Sequence, residues 1–256
     1  RIHKKKPEIV KEENWFFKLS RYSEKVRDAI ESGKLRIVPE SRKHEMLEFI
    51  KEGLQDVSFS RPRKNLQWGV PVPGDGTSTI YVWADALVNY LSALGYPNGE
   101  NFKKYWPADV HVVGKDILRF HATIWPAMLL SLGIELPKTI FVHGYLTVDG
   151  QKMSKTIGNV VDPIPLIEKY GADAVRYFLL REIPSAEDGD FTEEKFEERY
   201  NADLASGLGN LVARVLTLAT KINSKSEARN PKSPLQRDPA TAGQVQNLNL
   251  QKLLEE

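Results

Sequence analysis

The alternation of short apolar strand patterns with helical patterns in the middle of the chain restricts its fold more than any other feature. Strand patterns at residues 80–83, 110–113 and 139–143 are separated by helical patterns that run to Leu94 and over residues 117–132. Strands that alternate with helices normally form a parallel α/β sheet. Two such units are too few for a complete doubly wound domain, so we expect an α/β fold that is half of a nucleotide-binding domain.

Helical patterns flank this middle section on both sides. Residues 12–32 and 41–52 carry apolar positions at helical spacing, and each stretch stops at a glycine, Gly33 or Gly53. Downstream, residues 201–222 predict one helix with a broad apolar face, as in a helical bundle. The polar stretch after Asn223 predicts a loop or a disordered connection.

Composition narrows the possible functions. The chain has 256 residues and no cysteine, which excludes disulfides, thiolate zinc sites and cysteine nucleophiles. Lys and Arg number 36 against 34 Asp and Glu, so any nucleic-acid partner must be met by local basic patches. The absence of a long apolar run favours a soluble, cytoplasmic protein with no membrane partner. Because the chain starts at Arg1 instead of methionine, we expect that upstream sequence is missing.

A pair of lysines follows a turn signal in the segment GYLTVDGQKMSKTIGN. Asp149-Gly150 favours a tight turn, and Lys152 and Lys155 lie three residues apart on the loop that follows. Two ammonium groups on one loop can face a single anion, which suits a polyphosphate. The alternative is a solvated surface pair.

A second anion-binding pattern lies upstream, in VVGKDILRFH. Gly114 ends a strand, and the amides after it open a helix whose N-terminus attracts a ribose or a phosphate. Asp116 is placed to accept hydrogen bonds from ribose hydroxyls, or to act as the N-cap of that helix. The two roles can coexist.

Aromatic residues and one histidine share helix faces on either side of this strand. Trp83, Ala86 and Tyr90 are at helical spacing in one helix, and His121 and Trp125 lie four apart in the next. Together they predict an apolar wall with one neutral imidazole, which suits an unbranched, flexible side chain with a polarisable sulfur. Ordinary core packing is the alternative.

Five segments carry a resemblance to a known family: WGVPVP, IYVWADALVNYL, DVHVVGKDILRFHATIWPAM, HGYLTVDGQKMSKTIGNVVDP and YGADAVRYFLLREIP. They closely resemble the methionyl-tRNA synthetases, and the likeness runs from about Trp15 to Ile222. KMSK followed by Thr156 resembles the lysine loop that class I synthetases close over ATP, with threonine in place of the commoner serine.

The resemblance implies ligation of methionine to tRNA(Met) through a methionyl-adenylate, with ATP as substrate and Mg²⁺ accompanying it. It implies that Lys152 and Lys155 are catalytic, because they would bind the phosphates and stabilise charge as pyrophosphate leaves. The implied binding residues are Gly114, Asp116, Lys152, Ser154 and Lys155 for ATP, Trp83, Ala86, Tyr90, His121 and Trp125 for methionine, and Asn210 and Arg214 for tRNA.

Two of these implied roles have structural alternatives. Asn210 and Arg214 form a polar pair that suits contact with anticodon bases, but a solvated helix face would look the same. Arg61, in SFSRPR, resembles a family arginine near the amino-acid site, and it can equally be a structural ion-pair partner.

The resemblance also implies an order of domains. Residues 1–60 would be a helical return from an upstream insertion, and residues 61–145 the second half of a Rossmann-like catalytic domain. Residues 146–197 would form the signature-loop and stem-contact region. Residues 198–256 would begin a helical anticodon-binding domain with a polar tail.

Two features of the family are absent from the chain. No His-x-Gly-His type signature exists among the five histidines, and no cysteine is present for a zinc-binding insertion. We therefore predict no metal site in this chain. We also predict that the isolated chain makes no adenylate at a useful rate, because positioning and charge stabilisation are shared between two halves of the site.

Two other functions stay open. A synthetase for leucine, isoleucine or valine has relatives of WGVPVP and of the lysine loop, although WADALVNY and FHATIWPAM argue against it. A non-catalytic tRNA-binding or assembly module derived from a class I synthetase fits the missing signature. The amino-acid dependence of adenylate formation would distinguish a synthetase for leucine, isoleucine or valine from one for methionine. Binding of tRNA without adenylate chemistry would identify the non-catalytic module.

Overall fold

The computed structural model describes residues 11–65, 68–154, 156 and 158–228, with side chains to residue 222, and it contains both strands and helices. The first elements are β1 (Phe16–Phe17), α1 (Ser23–Glu31), β2 (Arg36–Val38), α2 (Glu40–Lys51), β3 (Val57–Ser58), β4 (Ser60–Pro62), β5 (Pro71–Val72) and β6 (Asp75–Ile80). They are followed by α3 (Val82–Ser92), α4 (Glu100–Tyr105), β7 (His111–Gly114), α5 (Trp125–Leu132), β8 (Thr139–His143), β9 (Leu146–Val148) and β10 (Gln151–Lys152). The last elements are α6 (Pro163–Tyr170), α7 (Ala172–Glu182), β11 (Gly189–Asp190), α8 (Glu193–Arg199) and α9 (Asn210–Ala228).

Short segments of other helical types adjoin these elements. Leu19–Tyr22 precedes α1 and Arg63–Asn65 follows β4, both as 3₁₀ turns. Phe120–Ile124 and Tyr200–Gly209 are π-helical and run directly into α5 and α9.

A parallel sheet with the strand order β2-β8-β7 carries the predicted α/β fold. Its register places Ile37 opposite Ile140, and Val113 opposite Val142, and all four side chains are buried. These four side chains lie on one face of the sheet, which the helices cover, whereas Val112 on the other face is 66% exposed. The α/β prediction is therefore confirmed.

One strand of this sheet differs from the prediction. Residues 80–83 were expected to form a strand of the parallel sheet, but Ile80 ends the antiparallel strand β6 and Val82 begins α3. The third parallel strand is instead β2, which pairs with β8. Three antiparallel or mixed sheets lie outside the parallel one, with the orders β1-β3, β4-β6-β5 and β10-β9-β11.

The segment before α1 is also less helical than predicted. Residues 12–32 were expected to form one helix, but α1 begins only at Ser23. The Trp15 amide donates to Ser60 Oγ at 2.8 Å, and the Phe17 ring stacks on Phe59 with 4.9 Å between centroids. These long-range contacts favour extended backbone over the helix that local spacing indicates. The prediction for residues 41–52 is confirmed by α2, with positive φ at Gly53.

One hydrophobic core joins the helices to the parallel sheet. Its largest fully buried members are Ile30, Leu35, Ile37, Met46, Leu87, Leu118, Trp125, Leu129 and Ile140. At about 25 cal/mol per Å² of buried apolar surface, this cluster holds α1, α2, α3 and α5 against the strands. The carboxyl ends of β7 and β8 are thereby held side by side.

Two compact units divide the chain between Glu193 and Glu194. In the second unit, residues 201–222 are helical as predicted, and α9 continues to Ala228. The loop predicted from Asn223 therefore starts no earlier than residue 229, and residues beyond 228 lie outside the described part. Apolar side chains on α9 are exposed, among them Leu211, Val215 and Leu218. Within the described residues, no helix combines the length and apolarity needed to cross a bilayer.

Candidate functional site

The aromatic residues predicted to wall a pocket lie together in one cluster. The Tyr90 ring, on α3, is 5.8 Å from both His121 and Trp125 between ring centroids. Trp83, two turns earlier on α3, meets His121 edge-on at 6.3 Å. Ala86 lies between Trp83 and Tyr90 on the same helix, at the spacing that puts all three on one face. The structure therefore brings these five residues to one place.

A π-helical turn places His121 in this cluster. The Trp125 amide donates to the carbonyl of Phe120, five residues earlier, instead of the usual four. Such π turns interrupt α-helices mostly as single turns, frequently at functional sites. The Phe120 ring stacks on Trp83 at 4.0 Å between centroids. The predicted helix over residues 117–132 is thus irregular at His121.

Hydrogen bonds determine which nitrogen of His121 carries the proton. Nδ1 lies 3.0 Å from the Ile117 carbonyl oxygen, which can only accept, so Nδ1 donates. Nε2 lies 3.0 Å from the Tyr90 hydroxyl and is left to accept from it. Burial lowers the pKa of His121, while the Ile117 carbonyl acts in the opposite direction. The imidazole is therefore neutral near pH 7, as the sequence predicted.

A second histidine, His111, supports the cluster from β7 and was missed by sequence reasoning. The residue is 5% exposed, and its Nε2 accepts from the Trp125 indole N–H at 3.4 Å. Its ring lies 4.3 Å from the Tyr90 ring. Burial lowers the pKa of His111 to about 4, with a further contribution from His121. The signal in the sequence was period-two alternation along the strand, which puts His111 and Val113 on the same face.

Gly114 and Asp116 lie at the carboxyl end of β7, where open parallel sheets bind ligands. A Cβ atom on Gly114 would lie 2.8 Å from Asp116 Oδ1, so the carboxylate folds back over the glycine. Asp116 is exposed, and no amide in the described part of the chain donates to its carboxylate. The N-cap alternative is therefore not observed, and the carboxylate faces solvent.

The predicted tight turn forms a hairpin that carries Lys152. β9 and β10 are joined by Asp149 (φ 52°) and Gly150 (φ 70°), and positive φ at both positions is the mark of a type I′ turn. Lys152 pairs with Thr147 and is exposed. Its ammonium lies 3.9 Å from the centroid of the Tyr145 ring.

The same tyrosine connects the hairpin to the turn after β7. Lys115, between the two predicted nucleotide-binding residues, has its ammonium 4.2 Å from the Tyr145 ring centroid. Lys115 also donates to Asp188 Oδ1 at 2.6 Å, and the Tyr145 amide donates to that oxygen at 2.8 Å. These two hydrogen bonds lower the pKa of Asp188, and the bond from Lys115 contributes more than the bond from the Tyr145 amide. Lys115 is thus paired, whereas no carboxylate of the described residues pairs with Lys152.

Residues after the hairpin fold around Asn159. Its Oδ1 accepts from the Ser154 amide at 2.8 Å, and its Nδ2 donates to the Lys152 carbonyl at 3.3 Å. The Ser154 hydroxyl accepts from the Thr156 amide at 3.2 Å. Ser154 is therefore held within its own loop. Lys155 lies outside the described residues, so its predicted role stays a prediction.

The predicted tRNA-binding pair lies on α9, in the second unit. Asn210 and Arg214 are one helical turn apart and both are exposed. This arrangement is compatible with base contact and with a solvated face alike, so the pair stays a prediction.

Arg61 is held by neutral groups and not by an ion pair. Its Nη1 donates to Ser58 Oγ at 2.8 Å and to the Ser60 carbonyl at 2.7 Å. Its guanidinium lies 4.2 Å from the Tyr81 ring centroid. No carboxylate of the described residues pairs with it, which is contrary to the ion-pair alternative.

Comparison with known proteins identifies the family. The family model described as tRNA synthetases class I (M) matches residues 1–216. This chain therefore belongs to that family of class I tRNA synthetases, and the predicted resemblance is confirmed.

Its relatives are methionine–tRNA ligases. That of Caldanaerobacter subterraneus subsp. tengcongensis is 55% identical over 216 residues, which cover 84% of this chain and 34% of the relative. That of Brucella suis biovar 1 is 47% identical over 239 residues, covering 93% and 46%. A crystal structure of Mycobacterium tuberculosis methionyl-tRNA synthetase bound by methionyl-adenylate matches with a TM-score of 0.77 and 48% identity, covering 82% of this chain and 41% of that one. The chain thus spans about a third to a half of the length of these relatives.

Proposed function

We propose that this chain is part of a methionine–tRNA ligase and supplies its methionine pocket and one side of its ATP site. The observation that carries the proposal is the contact of Lys115 and Lys152 with the single ring of Tyr145. This contact joins the lysine hairpin to the turn after β7, so the two anion-binding patterns of the sequence form one region. Membership of the family supports the same assignment.

The methionine side chain is proposed to bind against Trp83, Ala86, Tyr90, His121 and Trp125. A thioether makes favourable contacts with aromatic rings, and it places no charge in an apolar site. The neutral imidazole of His121 fits this environment, because its donor and acceptor atoms are already satisfied by Ile117 and Tyr90. The related mycobacterial protein was crystallised with methionyl-adenylate.

In the proposed reaction, a carboxylate oxygen of methionine attacks the α-phosphorus of ATP, and the bond to the leaving pyrophosphate breaks. A hydroxyl of the terminal adenosine of tRNA then attacks the carbonyl carbon of methionyl-adenylate, and AMP leaves. Lys152 and Lys155 would stabilise the charge that develops on the leaving phosphates. Gly114 and Asp116 would hold the adenosine, and Ser154 would order the loop beneath the phosphates.

Mg²⁺ would arrive on the ATP phosphates. Within the described residues, no group of three or more metal-binding side chains is arranged to hold an ion. Mg²⁺ commonly binds through substrate phosphates, water and one or two carboxylates, so a dedicated cage is not needed. We also propose a cytoplasmic location, where charged tRNA is used.

The second unit is proposed to begin a helical anticodon-binding bundle. The exposed apolar face of α9 is the kind of surface that further helices cover in a bundle. Asn210 and Arg214 would contact anticodon bases, because amide and guanidinium groups can bond the edges of unstacked bases.

Methionine-dependent exchange between ATP and pyrophosphate tests the proposal. The chain should be compared with the product of its reading frame extended upstream of Arg1. We expect exchange in the longer product, selective for methionine over leucine, isoleucine and valine, and no exchange above background in the shorter one. Selectivity for a branched amino acid would replace the methionine assignment. No exchange in the longer product, together with tRNA binding, would favour a non-catalytic module.

A further inference from the structure

The short strand β11 holds the base of the lysine hairpin. Gly189 lies opposite Leu146 and Asp190 opposite Thr147, although more than forty residues separate the two strands along the chain. This parallel pairing is the only strand contact that the described residues provide on that side of β9. The hairpin therefore depends on a distant segment for its position.

The Asp190 carboxylate strengthens this attachment. Its Oδ1 accepts from Thr147 Oγ1 at 2.8 Å and from the Gly150 amide at 2.9 Å. One carboxylate oxygen thus bonds both a strand residue and a turn residue of the hairpin that carries Lys152. Hydrogen bonds to an ionised acceptor are stronger than neutral ones. The two bonds of Asp190 therefore stabilise the attachment of the short hairpin to β11.

The segment around Asp190 is itself tightly packed. Gly189 is buried, and a Cβ atom there would lie 2.6 Å from Ile183 Cγ2. Asp188 bonds the Tyr145 amide at the start of the hairpin. The hairpin is therefore held at its entry by Asp188 and at its turn by Asp190, while Lys152 is exposed.

We propose that Asp190 is a positioning residue for Lys152. Its carboxylate fixes the hairpin in the orientation from which the Lys152 ammonium reaches the ATP phosphates, and it contacts neither ATP nor the reacting atoms. The proposal rests on the proposed function. Ordering the loop before ATP arrives reduces the entropy that must be lost in the bound state, and therefore favours ATP use without affecting the methionine pocket.

The test compares Asp190→Ala with Asp190→Asn in the upstream-extended protein. Alanine removes both hydrogen bonds, whereas the asparagine oxygen can still accept them. We expect Asp190→Ala to lower kcat/KM for ATP in the exchange reaction by roughly 5- to 30-fold, the net value of two such bonds. KM for methionine should stay within about two-fold of wild type, because the pocket lies on α3 and the π turn. Asp190→Asn should restore most of the loss.

Two results would overturn the proposal: an equal loss toward ATP and methionine, or an asparagine variant as impaired as the alanine variant. Should Asp190→Ala fail to fold, Thr147→Val removes one of the two bonds at nearly constant volume. Thr147→Ser is its matched control, because it keeps the hydroxyl. Thr147→Val must then lower kcat/KM for ATP, and Thr147→Ser must not.

A second readout separates this proposal from the proposed function. Trypsin cleaves after Lys152, and a released hairpin should be cut faster. We expect faster cleavage there in Asp190→Ala than in Asp190→Asn, without any ligand. If wild type shows no exchange, the proposed function fails, while the cleavage rates still decide whether Asp190 positions the hairpin. Equal cleavage rates in the two variants would overturn the positioning role.

Discussion

The protonation state of His111 matters more to the aromatic cluster than that of any other residue in it. It lies between Tyr90 and Trp125, and His121 is the other titratable imidazole that faces it, at 6.4 Å between ring centroids. A proton on His111 would place a positive charge among aromatic rings and oppose the indole N–H of Trp125. The neutral form is therefore part of the folded structure of this site, and acid should weaken the fold through it.

We expect the variant His111→Gln to flatten the acid side of the stability curve. Burial lowers the pKa of His111 to about 4 in the folded chain, against about 6.5 when unfolded. Between these values the unfolded state binds more protons, so stability is present above about pH 6.5 and is lost as the pH falls toward about 4. The loss attributable to this group is on the order of 3 kcal/mol over the whole window. Glutamine does not titrate and can still accept from Trp125.

Urea unfolding at about pH 7.5, 6.0 and 5.0 measures this difference. His44, an exposed histidine on α2, provides the matched control. His44→Gln should keep the acid loss of the wild type. If His111→Gln loses stability with acid as steeply as the wild type, then protonation of His111 is not a source of that loss.

At the scale of elements, Gly144 determines how closely the segment before β11 approaches the hairpin. A Cβ atom on Gly144 would overlap the backbone carbonyl of Glu187, which cannot rotate away. Gly144→Ala should therefore reduce the free energy of unfolding by about 1–3 kcal/mol, as for other overpacked sites. Gly76→Ala is the control, because a Cβ there meets no atom within 4 Å. Equal unfolding midpoints in urea for the two variants would show that the backbone yields without cost.

The elements that the sequence predicted best are those with strong local patterns. β8 coincides with the prediction at residues 139–143, because a continuous run of β-branched and aromatic residues ends at turn signals. β2 was missed, since three residues are too few to show any period. The strand expected at residues 80–83 was wrong because one apolar run, IYVW, contains both the end of β6 and the start of α3. The prediction was limited by the short length of β2 and by the position of the boundary between β6 and α3. The composition of these segments did not limit it.

The candidate site shows the same limit at the scale of the whole molecule. Trp83 and Tyr90 were found from spacing within one helix, and the structure brings them to the residues expected. Contacts between distant segments, such as those of Asp190 with Thr147 and of Tyr145 with Lys115, leave no periodic trace in the sequence. These contacts join the separately predicted parts into one site, so only a three-dimensional structure reveals them.

The division of the chain between Glu193 and Glu194 separates the two proposed tasks. All residues assigned to methionine and ATP precede the boundary, and the assigned tRNA-binding residues, Asn210 and Arg214, follow it. A substitution in the second unit should therefore affect transfer to tRNA without affecting adenylate formation.

We expect Arg214→Ala in the upstream-extended protein to leave methionine-dependent exchange within about two-fold of wild type. Aminoacylation should lose about 1–3 kcal/mol in kcat/KM for tRNA, because the exposed guanidinium that is proposed to bond a base edge is removed. Arg214→Lys is the control, because it keeps the charge but loses the planar guanidinium fork. If Arg214 contacts a base, lysine should restore little of the aminoacylation activity that alanine loses. If Arg214 contacts a phosphate, lysine should restore most of it. Parallel exchange and aminoacylation assays on the three proteins measure this. An equal loss in both reactions would mean that Arg214 supports the fold, and no loss in either would leave it on a solvated helix face.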